Sequence, residues 1–176
     1  MKMNVIAMTL SGATILMASN VMAYDGTVIF NGEILDSACT VDIGSSNTLM
    51  VDLGRVSKTA FVSTGDEAST TKFTLRLKDC PVSVTTAKVK FDGAHDSNDS
   101  NLLAITQSAG AANGVAIRIK TADSMSLGLN QDNGYAYMLS STADNNLDFY
   151  AAYVATLVPV LPGAANAVAN FTVNYN

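Results

Sequence analysis

Residues 72–79 read Lys72-Phe73-Thr74-Leu75-Arg76-Leu77-Lys78-Asp79, and this alternation decides the fold class. Successive side chains of a strand point to opposite faces. Phe73, Leu75 and Leu77 therefore fall on a buried face, and Thr74, Arg76 and Lys78 on a solvated one. Outward from this stretch the same period of two recurs. Residues 26–35 put Val28, Phe30, Gly32 and Ile34 on one face and Ile29, Asn31, Glu33 and Leu35 on the other. Further short runs lie at 40–43, 49–56, 87–91, 102–105, 115–119, 147–154 and 164–175, separated by Gly, Asn, Asp and Ser. No window of useful length prefers the helical period. Short strands with a turn signal every ten or so residues predict an all-β sandwich.

The N-terminus reads differently. Lys2 gives a positive end, residues 5–17 are mostly apolar, and Val21-Met22-Ala23 offers small or apolar residues where a signal peptidase reads. Residues 1–23 are expected to be a cleaved signal peptide. The apolar run is short and broken by Thr9, Ser11, Gly12 and Thr14, so it does not read as a membrane span. Nothing later is long and apolar enough to insert in a bilayer. Cleavage leaves about 150 residues, one domain's worth. The formal charge of −5 becomes one unit more negative when Lys2 is lost, which disfavours nucleic acid as a partner.

With 48% apolar and only 14% charged residues, the chain can build a core and is not disordered. Its apolar residues are often small or β-branched and it has no Trp, which suits thin packed sheets. Cys39 and Cys80 are its two cysteines. In an exported protein such a pair is more often a disulfide than a metal site or a nucleophile. Closing a loop of that length is worth roughly 4 kcal/mol by the chain-entropy argument.

Residues that could carry chemistry are few. His95 is the one histidine, in the polar loop Gly93-Ala94-His95-Asp96, and no G-x-S-x-G serine accompanies it. Asp66 and Glu67 are adjacent in a Gly/Ser/Thr loop, a pattern of turn formers more than of an acid–base pair. Asp92, Asp96, Asn98 and Asp99 supply oxygen ligands without the spacing or the bidentate Glu of a calcium loop. Asn98-Asp99-Ser100 and Asn170-Phe171-Thr172 match the glycosylation pattern, a match that chance supplies often. The expectation is a chain without catalytic, metal or cofactor residues.

The final run puts Ala165, Ala167, Ala169, Phe171, Val173 and Tyr175 on one face, one residue before Asn176. A strand ending in a buried aromatic resists fraying. Together with this tail, three other features resemble subunits of chaperone–usher pili, close to the type 1 fimbrial group. They are Gly26-Thr27-Val28-Ile29-Phe30-Asn31-Gly32-Glu33-Ile34 just ahead of Cys39, the Cys39/Cys80 spacing around Val51-Asp52-Leu53-Gly54 and Phe61, and Phe91-Asp92-Gly93 followed by Asn101-Leu102-Leu103-Ala104. In the tail, Phe149-Tyr150-Ala151-Ala152-Tyr153-Val154-Ala155-Thr156 leads into Gly163 and the penultimate Tyr175.

The resemblance implies an incomplete immunoglobulin-like sandwich that lacks a strand. A periplasmic chaperone covers the open groove first, and the N-terminal segment of a neighbouring subunit replaces it at the outer-membrane usher. That route ends in an extracellular fimbrium on the cell surface, supporting adhesion. It divides the chain into a signal peptide (1–23), a donor extension (24–36) and a pilin domain (37–176). Val28, Phe30, Gly32 and Ile34 would fill pockets, Gly32 meeting a shallow or obstructed one. Ala167, Ala169, Phe171 and Val173 would line the groove. Gly163, Tyr175 and Asn176 would meet the chaperone or the next subunit. A minor adaptor, or a self-contained secreted β-sandwich adhesin, is the alternative reading.

Overall fold

The computed structural model describes residues 26–32, 34 and 37–176. The expected signal peptide lies outside them, as do Glu33, Leu35 and Asp36. The chain divides into two units, residues 1–34 and 35–176.

The second unit is all-β among the described residues. Its strands are β1 (Thr40–Asp42), β2 (Glu67–Lys78), β3 (Thr86–Gly93), β4 (Leu103–Ala104), β5 (Val115–Lys120), β6 (Ser126–Leu127), β7 (Tyr137–Met138), β8 (Asn145–Ala155) and β9 (Ala169–Tyr175). One 3-10 turn, Lys58–Ala60, interrupts them. Six strands form one sheet in the order β1-β2-β8-β5-β4, with β6 also on β5. The other sheet has three strands in the order β7-β3-β9. The pairs are antiparallel throughout, and the two sheets stack as the expected immunoglobulin-like sandwich.

Alternation sets the core. Leu75, Leu77, Leu147, Phe149 and Ala151 point in from the large sheet, and Ala87, Val89 and Phe91 from the small one. Phe73 sits opposite Phe149 in register, as Phe91 does opposite Phe171. These two aromatic pairs stack across the sandwich. Phe149 lies 5.5 Å from Phe73, 5.2 Å from Phe91 and 5.3 Å from Tyr137, measured between ring centroids. Burying one such ring is worth up to about 3 kcal/mol.

The outward residues of the large sheet are paired by charge. Lys72 meets Asp148 at 2.8 Å, and Arg76 and Lys78 both meet Asp42 at 2.6 Å. Glu67 takes Arg118 at 2.6 Å and also Lys120. Thr74, Arg76 and Lys78 are outward as expected, and Leu75 and Leu77 inward.

Three expectations need correction, and two short strands were not foreseen. Residues 49–56 form no strand. They run along the bulged start of β2, where Ser69 has φ 56° and its hydroxyl donates to the Leu53 carbonyl. A strand cannot pair regularly with a bulged edge. The last strand begins at Ala169, not at 164, because Asn166 and Ala164 bond to loop residues Thr106 and Ala112 instead. The described residues within 26–34 carry no strand pairing, since a strand exists only with a partner. β6 and β7, two residues each, were too short to leave a periodic signal.

Candidate functional site

β9 is the long edge strand of the small sheet. It pairs with β3 over Ala87↔Tyr175, Val89↔Val173, Phe91↔Phe171 and Gly93↔Ala169, and among the described residues no strand pairs its other edge. Its burial pattern is unusual for a strand facing a core. Ala87, Val89 and Phe91 are 0%, 1% and 7% exposed, yet their partners Tyr175, Val173 and Phe171 are only half-buried. The sequence reading expected a buried terminal aromatic. The structure leaves Tyr175 half open, because among the described residues no strand covers the free edge of β9.

The rest of this uncovered apolar strip comes from the other sheet and its flank. Val41, Ile43 and Val51 follow Cys39 in the chain, Phe73 is on β2 and Tyr153 on β8. All pack on the core while staying half-buried, as do Ala167 and Ala169. Tyr153 donates to the Ala165 carbonyl at 3.0 Å, tying the strip to the run that enters β9. Burial raises the phenol pKa of Tyr153, with Asp52 adding to it, and burial raises that of Tyr175. Both rings stay neutral and present apolar surface. Val41, Ile43, Val51 and Tyr153 were not assigned to the groove from sequence, although Val51 and Tyr153 stood in the motifs that carry the family resemblance. Their alternating runs were visible, but not which runs face each other.

The strip is framed by fixed points. Cys39 and Cys80 form a disulfide with Cα atoms 4.2 Å apart, joining the start of β1 to the end of β2. The Cys39 carbonyl lies 3.5 Å from the Tyr175 hydroxyl, a long contact that contributes little. Asn176 donates from its main chain to Thr86 O at 3.1 Å, and its own main-chain oxygen accepts from Thr85 N at 3.2 Å. The chain terminus is thereby pinned to β3.

Gly163 stands apart from β9. A Cβ there would lie 2.4 Å from Ala111 C, Ala112 N and Gly110 O, so only glycine lets the two loops touch backbone to backbone. Those loops are laced by Ala112 N to Ala164 O at 2.8 Å and Ala164 N to Gly110 O at 2.9 Å. The lacing fixes the path by which the chain reaches β9.

In the first unit, Val28, Phe30 and Ile34 are exposed, with Phe30 91% open to solvent. Nothing lies within 4 Å of a Cβ built at Gly32.

The polar residues noted from sequence serve local structure. Asp66 Oδ2 accepts from Val62 N and Ser63 N at 2.7 Å each, while Glu67 is held by Arg118 and Lys120. The two neighbouring carboxylates therefore have separate partners. Asp96 Oδ1 accepts from Asn98 N and Asp99 N, shaping a turn, and His95 is an exposed residue of the same loop.

The sequence model described as "Fimbrial protein" matches residues 28–176. The chain is 37% identical over 170 residues to the probable major fimbrial subunit LpfA of Escherichia coli O157:H7, covering 96% of this chain and 92% of that one. It is 36% identical over 172 residues to the type-1 fimbrial protein A chain of Escherichia coli strain K12, covering 96% and 93%. A solved chaperone–usher pilus subunit superposes with a TM-score of 0.63 at 25% identity, covering 90% of this chain and all of that one. By sequence over most of its length and by fold, the chain belongs to the fimbrial protein family and is a structural pilus subunit.

Proposed function

We propose that this chain polymerises by strand donation. The apolar segment around Val28, Phe30, Gly32 and Ile34 lies along the free edge of β9 in a neighbouring copy. One observation carries the proposal: β9 combines an unpaired edge with a half-buried apolar face, while its partner strand in the same sheet is fully covered. An added strand would satisfy the free main-chain groups and bury Ala169, Phe171 and Val173 together. Residues 26–34 extended would span roughly 30 Å at about 3.3 Å per residue, enough to run beside all of β9. Gly32 suits an obstructed position, and Tyr175 and Asn176 mark the end of the acceptor face.

The same reading assigns the partners. An open apolar strip is an aggregation hazard until it is filled, which calls for a periplasmic chaperone before the next subunit arrives at the outer-membrane usher. The family likeness supports that route, including cleavage after residue 23 and export through the periplasm. The identity to a probable major subunit favours a place in the shaft of a surface fimbrium.

Deleting residues 24–35 tests it. The truncated chain is expected to leave the cell's chaperone-bound pool unpolymerised, with no heat-sensitive ladder on gels. Fibres built from truncated chains would sink the proposal. Gly32→Leu in the full chain is expected to slow assembly in the same assay.

A further inference from the structure

Sheet edges are where strands add, and this domain has several. In the large sheet the edges are short: β1 has three residues, and β4 and β6 have two each. Very short edge strands offer little template. In the small sheet β9 is open along seven residues. Beyond its three pairs with β1, β2 has residues 52–53 alongside, whose carbonyls accept from the Thr71 and Ser69 hydroxyls. In the small sheet the remaining edge is that of β3, and β7 pairs with it only at Thr86 and Ala87. Residues 88–93 of β3 would therefore present a second template beside a buried apolar face.

That edge is occupied, largely by side chains. Asn133 Nδ2 donates to Val89 O at 2.6 Å. Asn130 donates from its main chain to Phe91 O at 2.8 Å. The Asn130 side chain accepts from Gly93 N at 2.9 Å and donates to Gly93 O at 3.0 Å. This two-bond exchange is what a hydrogen-bonded residue of an antiparallel neighbour would make. Asn130 holds φ 59°, a left-handed conformation that Asn adopts more readily than most residues. Asn133 Oδ1 accepts from Tyr135 N at 3.0 Å, which fixes the turn that aims its amide at β3.

We propose that Asn130 and Asn133 are specificity-determining residues that close the second edge of the small sheet, so that an incoming strand can add only at β9. The proposal rests on the strand-donation reading for its purpose, but its structural claim stands on the β3 edge alone. With both side-chain clamps removed, a single main-chain bond, to Phe91 O, holds the 130–133 loop on residues 89–93. The loop then lifts and the edge accepts a strand.

The test uses the full mature chain and a synthetic peptide of residues 26–35. Native mass spectrometry counts peptides per chain, and hydrogen exchange locates them. The variant is Asn130→Gly with Asn133→Asp: glycine keeps the positive φ, and the carboxylate keeps the bond from Tyr135 N. The variant is expected to bind one peptide more than wild type, with exchange newly slowed at residues 89–93. An equal count in variant and wild type overturns the proposal. So does peptide protection of residues 89–93 in the wild-type chain, a measurement that needs no variant to fold. The strand-donation reading is judged separately, by whether wild type binds one peptide at residues 169–175 or none.

Discussion

β3 and β9 lie side by side in one sheet, face the same core and place Phe opposite Phe and Val opposite Val, yet they are not equivalent. The inward side chains of β3 are sealed, and those of β9 are half open. Composition does not explain the difference, since the facing residues are nearly the same. Position does. β3 has neighbours on both edges, a strand on one and β7 plus an asparagine-clamped loop on the other. Among the described residues, β9 has a neighbour on one edge only. A side chain in a sheet is covered by its cross-strand neighbours as much as by the opposite layer. An uncovered strand in an otherwise closed sandwich is where we propose that a partner strand adds.

The largest test of this comparison is Phe91→Ala against Phe171→Ala in the isolated chain, by urea unfolding. Phe91→Ala is expected to cost about 3–5 kcal/mol, the usual range for a buried Phe. Phe171→Ala should cost about 1–2 kcal/mol, because its ring is already partly hydrated. Binding of the 26–35 peptide should narrow that gap by raising the cost of Phe171→Ala. Equal costs in the free chain would break the comparison.

A smaller effect separates the two sheets. Burial works against the Glu67 carboxylate, but hydrogen bonds from Lys120 and Arg118 outweigh it and hold its pKa below the ordinary 4.5. The stability this contributes is intact above that value and is lost as pH falls through the lowered one. Glu67→Gln should cost no more than about 1 kcal/mol near neutrality. In a thermal pH series the wild-type melting temperature is expected to fall below pH 4.5, and the variant's fall should be flatter. The ratio of the Phe91 and Phe171 effects should not change with pH, since neither ring depends on the outer ion pairs.

The smallest expected change is Tyr175→Phe. The 3.5 Å contact to Cys39 O is too long to carry weight, so the midpoint of unfolding should move by less than about 0.5 kcal/mol. A larger loss would mean that the end of β9 is anchored by its hydroxyl rather than by its ring.

Much of the fold could be read from the sequence, and the reason is local. Residues 72–79, 87–91 and 115–119 alternate because each strand must turn one face to the core, and that requirement is written in consecutive residues. The Cys39–Cys80 pair was legible from chemistry and compartment. The pattern of 26–35 showed an alternating β segment, and its role as a donated strand was only what the family resemblance implies.

Other features depend on residues far apart in the chain. Alternation marks Phe91 and Phe171 alike as inward, and only the strand order β7-β3-β9 makes one sealed and the other open. Gly163 stood out in the sequence only through the family resemblance, and the physical need for glycine there appears once the 110–112 backbone is found 2.4 Å from where its Cβ would be. Asn130 and Asn133 carried no signal in the sequence, and only the folded chain brings their amides to Gly93 and Val89, 37 and 44 positions away. The sequence alone determined the long alternating strands and which face their side chains take, because a period of two is a property of neighbouring residues. Which edge stays open was decided by the tertiary structure, because an edge is defined by what does not pair with it.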